Sequence, residues 1–361
     1  MAVTIKDVAR HAQVSIASVS RVLNRTGVVS EPTRQRVLHA AQHLRYTPHE
    51  AARSLITRRT RTVGVLLPDM HGEYFSELIR GIDRAARLSG LQLLVSSSHG
   101  DASEAALVLR SMHGRVDGVL IMSPYAEARK LIDAVPATLP VVLLNTPDET
   151  SRAATFMIDD FGGAKAMVEH LRSVGYRRIA HIAGPDSNFE ARERLRGFHA
   201  ALGPAEAGKA LVIPGSFTEE SGQAAGRQIA AATPRPDAVF AANDMMAIGC
   251  MLALTELGLR VPQDVALAGF DDIPIARFVS PPLTTVRAQT TELGRQALEE
   301  LARAIDSPGE IRHPTHTLAT TLVMRTSCPG PGHVARIVAT EPARNAEQFN
   351  GKNTRVLSGT R

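Results

Sequence analysis

In the stretch VSIASVSRVLN, residues 14 to 24, Ser15, Ser20 and Arg21 accompany Ile16 and Ala17 where a surface helix would ordinarily carry charge. Hydroxyls and a guanidinium bond to phosphates and base edges, and small apolar side chains press against thymine methyls. Arg21 is the candidate for a bidentate guanine contact. A second set is scattered along the chain: Tyr74, Phe75, Arg192, Phe217, Asn243 and Asp271 each follow or end a short apolar run. An arginine and a carboxylate forking onto neighbouring hydroxyls, with aromatic faces against C–H groups, suit a sugar or sugar derivative. The same residues also have plain structural uses, as core aromatics for Phe75 and Phe217, an ion pair for Arg192 and Asp271, and a helix cap for Asn243.

The elements that must carry the first set are short helices. Ile5, Val8, Ala9 and Ala12 recur at helical spacing, Gln13-Val14 supplies a tight turn, and Ser15 is a good N-cap for a helix turning Val19, Val22 and Leu23 inward. Ser30 caps a third helix with Pro32 in its first turn and Val37, Ala41 and Leu44 on one side. A helix, a tight turn and a second helix with a small, uncharged first turn have the form of a helix-turn-helix reader of the DNA major groove. After Pro48, HEAARSL forms barely two helical turns before the basic run ITRRTRT. Isolated helices become marginally stable only near ~12 residues, so this segment is expected to order when paired with its mate on DNA.

The second set belongs to a different texture. From residue 62, TVGVLLPD, LQLLVSSS, VDGVLIMSP, LPVVLLNT, RRIAHIAGP, KALVIPGSF, PDAVFAAND and DVALAGFDD alternate with helical stretches such as 75–88, 162–174 and 245–257. Continuous apolar strands separated by helices predict parallel sheets covered on both faces. Two groups of four such units favour two doubly wound lobes over a single barrel, with ligands at the carboxyl ends of the strands.

Charge is distributed unevenly. Residues 1–61 carry 11 Lys/Arg against 3 Asp/Glu, residues 62–327 carry 25 against 31, and residues 328–361 carry 5 against 2. A basic arm on a mildly acidic body suits a nucleic-acid partner. Cys250 and Cys328 are the two cysteines, which argues against a disulfide framework, and the opening MAVTIKDVARHAQ lacks the apolar core of a signal peptide, so a cytoplasmic protein is expected. No phosphate-cradling glycine loop or nucleophile elbow occurs, HEAAR at His49 lacks a second zinc-binding histidine, and the 13 histidines are dispersed. Neither catalysis, a metal nor a cofactor is expected. The Gly222/Gly226 pair reads as an ordinary soluble-helix spacing, and the tail from 328 to 361 as a disordered basic segment without the leucine heptads of a tetramerising coiled coil.

TIKDVARHAQVSIASVSRVLN, VSEPTRQRVLHAAQHLRYTPHEAARSL and RTVGVLLPD, followed by GYRRIAHIAGP, ARERLRGF, AANDMMAIG, GFDDIP and PPLTTVR, together resemble the lactose-repressor (LacI/GalR) family of bacterial transcriptional regulators. The resemblance implies an all-α helix-turn-helix headpiece over 1–46, a hinge helix and linker over 47–61, and a periplasmic-binding-protein-like α/β core over 62–327. It gives DNA-contacting positions to Thr4, Ser15, Ile16, Ala17, Ser20, Arg21 and Asn24, and to Leu55 a wedging role in the minor groove. It also places Tyr74, Phe75, Arg192, Phe217, Asn243 and Asp271 in an effector pocket. Many relatives have Asn-Pro before the aromatic pair where Gly72-Glu73 stands here, which alters the approach of Tyr74. The expected protein is a homodimeric repressor of a pseudo-palindromic operator, switched by a small molecule. The alternatives are a solute-binding protein without DNA affinity and an α/β sugar-processing enzyme.

Overall fold

The computed structural model describes residues 3–24, 27–46, 59–125, 128–147, 152–307 and 314–329. Helix α1, Ile5–Ala12, starts where the Asp7 carboxylate accepts from the backbone N–H (3.0 Å) and hydroxyl (2.7 Å) of Thr4. It stops at Gln13, whose φ of 53° is left-handed. Helices α2, Ile16–Asn24, and α3, Glu31–His43, complete a small core in which Val8, Val19 and Val37 are fully buried. Leu44 caps α3 half-buried, and Ala40 takes the inward place beside Val37 and Ala41.

From Thr62 the chain builds two sheets. Strands β1 (Thr62–Leu67), β2 (Gln92–Ser97), β3 (Gly118–Met122), β4 (Val141–Leu144) and β5 (Ala154–Ile158) alternate with helices α4 (Glu73–Leu88), α5 (Ala102–Met112) and α6 (Ala128–Ile132). Then come α7 (Asp160–Ser173), β6 (Ile179–Ala183), α8 (Phe189–Leu202), α9 (Pro204–Ala207), β7 (Val212–Pro214), α10 (Glu219–Ala231), β8 (Ala238–Ala241), α11 (Asp244–Glu256) and β9 (Ala266–Asp271). A 3-10 turn over Pro274–Arg277, β10 (Thr284–Arg287), α12 (Thr290–Asp306), β11 (Thr315–Leu318) and β12 (Thr321–Val323) follow. The strand orders are β11-β5-β4-β3-β1-β2 in the first lobe and β12-β10-β9-β8-β6-β7 in the second, so the lobes share one strand order.

Four features depart from the sequence expectation. The eight apolar runs became β1–β4 and β6–β9, and further strands join them, of which β10, β11 and β12 read TTVR, THTL and TLV without an apolar run. β12 pairs antiparallel with β10, so the second sheet is not wholly parallel. The lobes are also not successive halves: α12 packs on α4 of the first lobe, β11 joins β5 there, and β12 returns to the second. Cys328, expected to open the tail, is fully buried in the apolar core, and the remainder of that tail from residue 330 lies outside the described residues.

Gly222 does more than fill a soluble-helix spacing. A Cβ there would stand 2.2 Å from the Met246 carbonyl oxygen, and one on Gly249 would stand 2.0 Å from that of Glu219, so α10 and α11 touch backbone to backbone. Gly249→Ala gains about 1 kcal/mol of helix propensity. The added methyl meets a carbonyl that no rotamer change can move, and such overpacking costs about 1–3 kcal/mol. Chemical denaturation is expected to show net destabilisation; an unchanged or raised midpoint would contradict the contact.

Candidate functional site

On α2, Ile16, Ala17, Ser20 and Arg21 fall at i, i+1, i+4 and i+5, one stripe opposite buried Val19 and Val22. Ile16, Ala17 and Arg21 are exposed, and Ser20 is half-buried. Ser15 faces solvent, but its Oγ also accepts the Ser18 N–H at 3.1 Å, so it caps the helix. Thr4 lies at the exposed start of α1, and Asn24 ends α2. Leu55 and the hinge helix lie outside the described residues; of the linker, Arg59–Arg61 are described, with Arg59 Nη1 donating to Asp306 Oδ1 at 2.6 Å.

The second site is a cleft of about 400 Å³ between the carboxyl ends of the two sheets. Tyr74, Phe75, Phe217, Asn243 and Asp271 line it. Arg192 does not. It is exposed and donates to the Asp186 carbonyl at 3.1 Å, whereas Arg194, two residues on, lies 3% exposed in the cleft. At 100° per residue the two arginines point to nearly opposite sides of α8, so Arg194 replaces Arg192 in the pocket set. The spacing could have shown this, since Arg194 shares a face with buried Ala191 and Phe198.

Gly72-Glu73 brings Tyr74 into the cleft by another route. Asp69 Oδ1 accepts the N–H groups of Met70 and His71 at 2.6 and 3.1 Å, Gly72 takes φ 89°, and Glu73 Oε2 accepts the Ile275 N–H across the lobes at 2.8 Å. The Tyr74 hydroxyl then accepts from Asn145 Nδ2 at 3.0 Å. His71 on the same loop is exposed, and its Nε2 lies 3.8 Å from Glu219 Oε2 of the opposite lobe. Asn243 is a cap, as its sequence position allowed: Oδ1 accepts the Met246 N–H at 2.9 Å and Nδ2 donates to the Phe217 carbonyl at 3.0 Å, fixing that loop.

Arg194 organises the floor. Nε donates to Asp160 Oδ1 at 2.8 Å and Nη1 to the Ala242 carbonyl at 2.6 Å; Asp271 Oδ1 stands 3.3 Å from Nη1, and Glu190 Oε1 stands 3.8 Å from Nη2. The guanidinium lies 3.9 Å over the Phe270 ring. One cation thus serves three buried carboxyls. Burial, and then the neighbouring acids, push Glu190 up to about 8, while burial raises Asp271 well above the usual range despite Arg194. Asp160 and Glu190 were invisible as site residues because they sit on helix starts rather than strand ends.

The folded chain therefore keeps a proton on Glu190 up to about pH 8, whereas the unfolded carboxyl releases it near 4.5. A raised acid stabilises the fold below its unfolded value, and that contribution is lost as pH rises through the folded value. Thermal stability is expected to fall from about pH 4.5 to about pH 8 and to level off above, and Glu190→Gln to flatten the fall; equal slopes in both proteins would refute the assignment.

The sequence matches two known families: "Bacterial regulatory proteins, lacI family" over residues 4–49 and "Periplasmic binding protein-like domain" over residues 168–328. It is 34% identical to the ribose operon repressor of Haemophilus influenzae, across 90% of this chain and 98% of the relative. It is 35% identical to the HTH-type transcriptional repressor PurR of the same species, across 85% and 92%. Among solved structures, the lac repressor dimer bound to operator and an anti-inducer superimposes with a TM-score of 0.82 at 29% identity, covering 91% of this chain and 99% of that one. A LacI-family regulator from Enterococcus faecium with bound ribose gives 0.66 at 25% identity, covering 74% and 98%. With a headpiece, a two-lobed cleft and full-length relatives in agreement, the chain belongs to the lacI family of bacterial regulatory proteins.

Proposed function

We propose that this protein is a homodimeric transcriptional repressor that binds a pseudo-palindromic operator in the cytoplasm and is switched by a sugar or sugar derivative in the cleft. The observation that carries the reading is the stripe of exposed Ile16, Ala17 and Arg21 with half-buried Ser20, on a helix whose other side is a packed core. One headpiece gives little contact, whereas a twofold dimer reads two half-sites. The ribose operon repressor among the relatives and the ribose-bound neighbour support the effector class. The protein acts by binding, without turnover and without a cofactor. We divide the chain into a headpiece over 1–46, a hinge over 47–61 and a core that begins at residue 62 and extends through Cys328.

In this reading Thr4, Ser15 and Asn24 flank the α2 stripe on the DNA, and Leu55, set among Arg53, Arg58, Arg59 and Arg61, wedges into the minor groove. Tyr74, Phe75, Phe217 and Asp271 contact the effector, with Asn243 holding the Phe217 loop. No helix among the described residues is long and apolar enough to cross a membrane.

Selection from a random duplex pool is expected to yield a palindrome, bound less tightly as salt rises. Arg21→Ala should cost about 1–3 kcal/mol and relax preference at one base pair per half-site. A uniform loss over all sequences would make Arg21 a phosphate contact instead. Leu55→Ala should weaken specific binding while leaving effector affinity intact. Asp271→Asn should abolish the effector response with operator binding retained, and Arg192→Ala should leave that response unchanged; the reverse result would return Arg192 to the pocket.

A further inference from the structure

Helices α1 and α3 of the headpiece meet in a core to which small side chains contribute, Ala9 and Ala12 from one and Ala40 and Ala41 from the other. Histidines flank that core. His11 lies in the last turn of α1, and His39 and His43 fall at i and i+4 on α3, so the latter two share a face. The 13 histidines, dispersed along the sequence, thus leave three together in space. The rings of His11 and His43 stand 5.0 Å apart between centroids with planes 17° from parallel, and those of His39 and His43 stand 6.4 Å apart at 10°. All three residues are exposed. Stacking accounts for the contact of the rings but leaves their nitrogens open, and among the described residues none of the three side chains enters a hydrogen bond or an ion pair.

We propose that His11 and His43 chelate a transition-metal ion of the class Cu²⁺, Ni²⁺ or Zn²⁺ and thereby tie α1 to α3. Neutral imidazole is a ligand for these ions, whereas Mg²⁺ and Ca²⁺ take oxygen. Two imidazoles on one tetrahedral ion, with metal–nitrogen bonds of about 2.0–2.1 Å, place their ring centroids about 5 Å apart. His11 and His43 already stand at that separation on two different elements, and turning exposed rings edge-on to a shared ion disturbs no packing. His39 and His43 have the i, i+4 spacing with which a helix presents two histidines to zinc, but their rings are farther apart, so His39 is the lesser partner. No three His, Cys, Asp or Glu side chains among the described residues form a metal-binding set, so water completes the coordination. Asp7, one turn before His11, is already engaged by Thr4 and Arg10. Arg36, in the groove beside His11 and His39, opposes the ion, and its exposure to water weakens that repulsion. Because α2 packs into the same core as both tied helices, the ion braces the unit that presents the reading stripe, independently of the cleft.

The experiment is titration of the metal-free full chain with Cu²⁺ and Zn²⁺, read by calorimetry, by thermal shift and, for Cu²⁺, by electron paramagnetic resonance. Both ions are expected to bind, Cu²⁺ more tightly than Zn²⁺, with imidazole nitrogen couplings in the resonance spectrum, while Mg²⁺ is silent. Binding is expected to raise the melting temperature. His11→Gln and His43→Gln are each expected to weaken the ion by about tenfold or more, since changes even to groups that only support a metal ligand cost about 10–100-fold. His39→Gln, equally exposed, is expected to have the smallest effect of the three. Circular dichroism of the metal-free variants checks that they fold, and His43→Cys, which restores a zinc ligand, is expected to recover Zn²⁺ binding. Loss of the ion in His39→Gln and His43→Gln but not in His11→Gln would put it on α3 alone and overturn the bridge. No binding, or equal affinity in the parent, His11→Gln and His43→Gln, overturns the site itself.

Discussion

The guanidinium of Arg194 is the constraint from which the cleft is built. A buried cation with unmet donors costs several kcal/mol, so a chain that places arginine in its interior must supply acceptors around it. Here they come from the start of α7 through Asp160, the end of β8 through Ala242, the end of β9 through Asp271, and α8 itself through Glu190. A single side chain thereby fixes the relative placement of four elements of the second lobe, with Phe270 as its apolar floor. The first lobe is referred to the same point through Asn145 and Tyr74 on Glu190.

Backbone conformation around that point is also unusual. Asn145, Phe217, Asp271 and Asp272 take positive φ of 43°, 66°, 111° and 57°, each at a strand end or in a cleft loop. Such conformations cost about 1–3 kcal/mol for a residue with a side chain, and they persist where the surroundings over-determine them. The ring of Phe217 fits because Gly184 has no side chain: a Cβ there would stand 2.5 Å from it. Arg325 and Arg287 hold Asp272 at 2.6 and 2.7 Å, compensating the strain beside the site.

Much of this was legible before any coordinates. Helical spacing located α1 to α3, since Ile5, Val8, Ala9 and Ala12, then Val19, Val22 and Leu23, then Val37, Ala41 and Leu44 each recur at the period a helix demands, and uninterrupted apolar runs located β1–β4 and β6–β9. The threonine-rich β10 to β12 carry no such run: in β10 the buried Thr284 and Thr285 hydroxyls donate to the Arg325 carbonyl and the Asp244 carboxylate, and β11 and β12 are largely exposed or half-buried. Strand-end position found Tyr74, Phe75, Phe217, Asn243 and Asp271, and failed at the arginine because two candidates lay within one helical turn and the burial of Ala191 and Phe198 decides between them. Asp160 and Glu190 escaped because a carboxylate at a helix start is also favoured there by the helix dipole, which disguises any other use.

The return of β11 to the first sheet and β12 to the second bears on synthesis as well as on architecture. A nascent chain emerges from the ribosome amino end first, and domains ordinarily complete as they appear. Here both sheets wait with an open edge until residues 315–323 have been made, so a product truncated before that point would expose unpaired β5 and β10 backbone to its neighbours. Closure of both sheets thus hangs on the last two strands to be delivered.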